Sequence, residues 1–132
     1  MCLDAVCVCH TPLRQLSMKR IIVAITGASG VLYGIRALEL LRQAGDVETH
    51  LILSPAAVRT IRAETAYAPA DVEAPATLRR AHTDVGASIA SGSSRTDGML
   101  VAPCSAKTLS ALTHCFSDDL VTTAADLQLT AR

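Results

Sequence analysis

Apolar positions fall into three short continuous runs, each followed by a polar turn and then by apolar residues at helical spacing. The first run, Ile21, Ile22, Val23, Ala24 and Ile25, is too short for a helix and rich in β-branched residues. It predicts a strand covered on both faces, as in parallel sheets. Thr26, Gly27, Ala28, Ser29 and Gly30 supply small and hydroxyl residues for a turn, and Val31, Ile35, Leu38 and Leu41 then mark one face of a helix. Residues 48–54 predict a second strand centred on Leu51, Ile52 and Leu53, ending at Ser54-Pro55. Serine is a good N-cap and proline suits the first helical position, so a helix is expected over residues 56–66. Residues 98–103 predict a third buried strand, followed by a helix that Ser105 caps and that runs through Leu109 and Leu112. Ser117-Asp118-Asp119 caps a last helix. Between residues 67 and 96 the pattern weakens: Pro69, Pro75 and repeated alanines predict a loop or short helices, with Leu78-Arg79-Arg80 within them. Residues 87–94, ASIASGSS, read either as a flexible connection or as a loop able to lie against a ligand.

Strands alternating with helices define an α/β fold with a parallel sheet. In such open sheets ligands bind beyond the carboxyl ends of the strands, so Ser29, Ser54 and Ser105 should converge on one crevice. A glycine-bearing turn at a helix N-terminus also offers unpaired N–H groups and the positive end of the helix dipole to an anion. The alternative is a tight strand-to-helix turn and nothing more. Gly27, Gly30 and Gly34 are spaced GxxGxxxG, which is neither the dinucleotide GxGxxG nor a Walker loop. Ser29 lies in no GxSxG elbow, because Val31 occupies the last position. The end of the second strand carries Ser54 where a dinucleotide fold places an acidic residue for the ribose, which favours a mononucleotide over NAD.

Composition narrows the ligand class. The 132 residues suffice for one domain, and half of them are hydrophobic. Twelve basic and twelve acidic side chains balance, with no long basic cluster, so no nucleic-acid partner is expected. Two tyrosines, one phenylalanine and no tryptophan leave an aliphatic, alanine-rich core and no stacking platform for single strands. Residues 1–17 hold three of the five cysteines and only short apolar runs; they predict neither a signal peptide nor a membrane span. Cys7, Cys9 and His10 fit no common zinc spacing, and this stretch is expected to be a disordered extension ahead of Met18, an alternative start. Cys104 reads as a packed thiol rather than a nucleophile. Lys107 meets either a phosphate or solvent, and Glu64, on its own, reads as a solvated helical residue.

Several separate stretches, in order, resemble UbiX-type flavin prenyltransferases: MKRIIVAITGASGVLYGIRALELLR from Met18, ETHLILSPAA, AET at residues 63–65, SGSS at 91–94, PCSAKTLS at 103–110 and AAD at 124–126. The resemblance covers residues 18–126 and implies a flavodoxin-like, Rossmann-like three-layer domain over residues 18–132. It implies binding of reduced FMN and transfer to it of a dimethylallyl group from dimethylallyl phosphate, without a metal. Gly27, Ala28 and Ser29 match the first flavin-binding turn, Ser54 the second, and Ser105, Ala106, Lys107 and Thr108 the third. Glu64 matches a glutamate placed for proton transfer, with Ser29 beside it in the catalytic set; that role calls for a pKa raised by burial or by a nearby phosphate. The family further implies a cytoplasmic homo-oligomer with flavin between subunits, whose prenylated FMN serves UbiD-type decarboxylases in quinone synthesis or aromatic-acid breakdown.

The sequence also departs from the family. Thr123 stands where arginine usually precedes AAD, and Thr130, Ala131 and Arg132 stand where lysine, glutamate and arginine are usual. The family's next strand, with an arginine-glutamate pair, and its later lysine and tyrosine for the prenyl phosphate have no counterpart within residues 1–132. A domain incomplete at its C-terminus, with three strands and one open sheet edge, is therefore expected. Two alternatives remain: an FMN-binding relative of the cysteine decarboxylase type, and an inactive shortened subunit.

Overall fold

The computed structural model describes residues 18–91 and 95–130. The expectations for residues 1–17, including Cys7, Cys9 and His10, fall outside them, as do those for Gly92, Ser93, Ser94, Ala131 and Arg132. The elements run β1 (Lys19–Ile25), α1 (Val31–Ala44), β2 (Val47–Leu53), α2 (Pro55–Glu64), α3 (Pro69–Glu73), β3 (Leu78–Arg80), a 3-10 turn (Ser88–Ala90), β4 (Gly98–Val101), α4 (Ala106–Thr113) and α5 (Leu120–Thr130).

All strand pairs are parallel, in the order β3-β2-β1-β4, with Val23 opposite Leu51 on one side and Leu100 on the other. Alternate residues of β1 serve two cores. Val23 and Ile25 pack with Val31, Ile35, Leu38, Leu51, Ala57 and Ile61 beneath α1 and α2. Ile22 and Ala24 pack with Ile52, Ile89, Leu120, Val121 and Ala124 beneath α5. A strand with no polar face is what a sheet covered on both sides requires, and the three-layer expectation is met.

Four expectations are altered or resolved. Among the described residues the sheet has four strands, because Leu78-Arg79-Arg80 is a short strand against β2, at the end of the strand order, rather than loop or helix. Two arginines and a leucine 40% exposed give no apolar alternation by which to recognise it. The third predicted strand ends at Val101 and is not buried: β4 pairs with β1 alone among the described residues, and Leu100 is 39% exposed. The helix expected over residues 56–66 starts one residue earlier and ends at Glu64. Residues 87–91 are tied to the body rather than loose, since Ala87 and Ile89 are buried in the second core.

The chain runs outward from β1 through β2 to β3 and then returns to place β4 on the other side of β1. The point where the order reverses, between the carboxyl ends of β1 and β4, is where open α/β sheets form their crevice.

Candidate functional site

Three turns meet at this point, and each leads into a helix N-terminus. The second turn is bound to the first strand by Ser54 N–H, which donates to Ile25 C=O at 3.1 Å. Ser54 Oγ accepts from Ala57 N–H at 3.0 Å and so caps α2. Gly27 lies so close to Ala56 that an added Cβ would collide with the Ala56 methyl, and only glycine permits this approach.

The third turn is bound by Thr26. Its hydroxyl donates to Pro103 C=O at 2.7 Å and accepts from Ser105 N–H at 2.7 Å. Ser105 Oγ then caps α4, accepting Thr108 N–H at 3.3 Å and lying 3.0 Å from Thr108 Oγ1. As the first two residues of α4, Ala106 and Lys107 have N–H groups without intrahelical acceptors. The Lys107 side chain extends outward to Asp118, 3.3 Å away.

The first turn differs from the other two. Gly30 has φ 90°, a left-handed conformation that favours glycine, and it begins α1 without any side-chain cap of its own. The cap comes from Glu64, at the end of α2, whose Oε2 accepts Gly30 N–H at 3.0 Å. That bond, then the Ser29 hydroxyl and Val31 N–H, hold the Glu64 carboxyl below the ordinary glutamate value of 4.5. Two expected site residues are thereby joined, Ser29 in the first turn and Glu64 on its N–H groups, while Ser54 stands at the opposite end of α2 and is tied to the end of β1. The direction of the Glu64 shift is opposite to that expected for a proton donor near neutrality. The cause is local: the carboxylate is exposed and sits on N–H donors instead of being buried.

Cys104 is partly buried, and that burial pushes its thiol pKa up, which suits the packed-thiol reading. Thr26, 2% exposed, is the residue sequence reasoning passed over. Its signal was present as a hydroxyl residue directly at the end of an otherwise apolar strand.

A parallel α/β sheet with three helix N-termini gathered at its switch point defines a Rossmann-like architecture. The Flavoprotein family model matches residues 10–132. The chain belongs to that family. It is 49% identical over 115 residues to flavin prenyltransferase UbiX of Escherichia coli (strain K12), covering 87% of this chain and 61% of that protein. It is 52% identical over 115 residues to the Neisseria meningitidis serogroup B counterpart, covering 87% and 60%. Among solved structures, AnUbiX (PadA1) in complex with FMN and dimethylallyl pyrophosphate is similar with a TM-score of 0.82 at 48% identity, over 84% of this chain and 58% of that one. A dodecameric FMN-dependent UbiX-like decarboxylase from Escherichia coli O157:H7 gives a TM-score of 0.82 at 45% identity, over 86% and 62%. The cysteine decarboxylase TvaF, at 21% identity and a TM-score of 0.60 over 80% and 65%, shares the fold. The chain thus spans about three-fifths of the length of these curated relatives.

Proposed function

We propose that this chain carries the FMN-binding part of a flavin prenyltransferase. The observation that carries the reading is the gathering of three helix N-termini at the switch point, one already taken by a carboxylate. With Glu64 on α1, the hydroxyls of Ser54 and Ser105, which cap α2 and α4, and the first N–H groups of α4 at Ala106 and Lys107 are the donors left for a phosphate, with Thr108 beside them. These residues fit FMN: hydroxyl donors, first-turn N–H groups and a glycine that admits no side chain next to Ala56. The Gly27-Ala28-Ser29 turn and Glu64 then border the rest of the ligand. The 48% identical relative solved with FMN and dimethylallyl pyrophosphate supports the same ligand class.

Reduced flavin supplies the nucleophile for alkyl transfer when bound. The dimethylallyl carbon loses its bond to a phosphate oxygen, which departs with the electron pair, and gains one to the flavin. The chain's own contribution is to hold the acceptor, to keep Ser29 and Glu64 beside it, and to take or return protons at the Glu64 carboxylate. A phosphate entering near Glu64 raises its pKa by like-charge repulsion, opposing the N–H bonds that now lower it. Homo-oligomerisation, delivery of the product to a UbiD-type decarboxylase and a cytoplasmic setting belong to the same reading. No described helix is long and apolar enough to cross a membrane.

The test is to incubate the chain with reduced FMN and dimethylallyl phosphate and to weigh the flavin. Bound FMN is the expected result, and a gain of one prenyl unit in its mass would add transfer to binding. Bound flavin of unchanged mass would favour an FMN-binding relative without transfer, and no bound flavin would overturn the reading.

A further inference from the structure

Thr26 has both hydrogen-bonding capacities of its hydroxyl committed to one neighbour, the turn between β4 and α4. Among the described residues its strand pairs with β1 alone, and the turn is tied to β1 by two backbone bonds, Ala102 N–H to Ala24 C=O at 2.9 Å and Thr26 N–H to Pro103 C=O at 3.2 Å. Ser105, which receives the Thr26 contact through its N–H, is itself the cap of α4. The hydroxyl of Thr26, a residue 2% exposed, therefore adds two hydrogen bonds to the two backbone bonds that set the α4 N-terminus against the first turn.

We infer that Thr26 is a positioning residue for phosphate recognition: its hydroxyl fixes the first turn of α4 against β1, so that ligand phosphate meets N–H groups already in place. The inference rests on the flavin reading above. Preorganised donors bind without the cost of ordering the loop at the moment of association. Serine at this position keeps the donor and the acceptor, whereas valine keeps the shape and leaves Ser105 N–H without its partner.

The experiment compares FMN with riboflavin, which lacks the phosphate, on the wild-type chain, Thr26→Val and Thr26→Ser. Losing one committed hydroxyl bridge should weaken FMN by about tenfold in T26V. Riboflavin binding should stay unchanged, and T26S should bind FMN like wild type. Amide exchange at Ser105 should quicken in T26V and not in T26S, a readout independent of ligand. If T26V does not fold, Thr26→Ala, which removes the same hydroxyl with less demand on space, gives the same comparison. Equal losses of FMN and riboflavin, or no loss in a variant whose wild type discriminates between them, would overturn the positioning role alone. A wild-type chain that binds neither flavin would overturn the flavin reading and this inference with it.

Discussion

Gly34 lies inside α1, where alanine would ordinarily stabilise the helix by about 0.5–1 kcal/mol. Here the prediction is the reverse. A Cβ on Gly34 would overlap the Ala102 carbonyl oxygen and stand 2.9 Å from Ile25 Cγ1 and 3.0 Å from Ile25 Cδ1. Neither neighbour can give way easily: Ile25 is fully buried, and Ala102 belongs to the backbone between β4 and the Thr26-bound turn. Overpacking of this kind costs about 1–3 kcal/mol. Pushing Ala102 outward also strains its bond to Ala24 and the Thr26 bridge, each worth about 1 kcal/mol. After subtracting the propensity gain, Gly34→Ala should destabilise by about 2–4 kcal/mol. For a chain of this size that is a fall in Tm of roughly 6–15 °C. Thermal unfolding followed by far-UV circular dichroism, with urea titration for the free energy, measures it. A rise in Tm, as helix propensity alone would give, would refute the close approach of α1 to the third turn.

Other perturbations separate the remaining parts. Ser54→Ala removes the acceptor of Ala57 N–H and should cost about 1 kcal/mol in a urea titration. Leu38→Ala, in the core beneath α1, should cost about 2–5 kcal/mol, whereas Leu40→Ala, 55% exposed on the same helix, should stay within about 0.5 kcal/mol. For Glu64 the sign follows from a folded-state pKa held down by Gly30 N–H, Ser29 and Val31 N–H. Its contribution to stability is complete above the ordinary 4.5 and is lost as pH falls through the lowered folded value. Glu64→Gln should therefore flatten that acidic component of the Tm-against-pH curve relative to wild type; two curves that stay parallel below pH 4.5 would contradict the capping role.

The parts of the fold legible in the sequence are those whose physics is local. The apolar run of β1, the Ser54-Pro55 and Ser105 helix entries and the spacing of Val31, Ile35 and Leu38 each specify an element by themselves, and the structure places them so. β3 was not legible because an edge strand of three residues, two of them arginine, is defined by pairing with β2 and by little in its own composition. Glu64 shows the same limit from the side of the site. Thirty-four residues separate it from Gly30, so its capping of α1 arises only once α2 folds back, and no spacing rule announces it. Thr26 was overlooked for a related reason: its importance lies in Pro103 and Ser105, far along the chain, and not in the turn it begins.

The account's central claim is that the N-termini of α2 and α4, not that of α1, receive the phosphate of FMN. The most direct measurement is a crystal structure of the chain with FMN bound. Phosphate oxygens within hydrogen-bond distance of the Ser54 and Ser105 hydroxyls and the first-turn N–H groups of α4, with Glu64 still on Gly30, are the predicted result. A phosphate seated on Gly30 and Val31 with Glu64 displaced, or flavin bound away from the three turns, would contradict it.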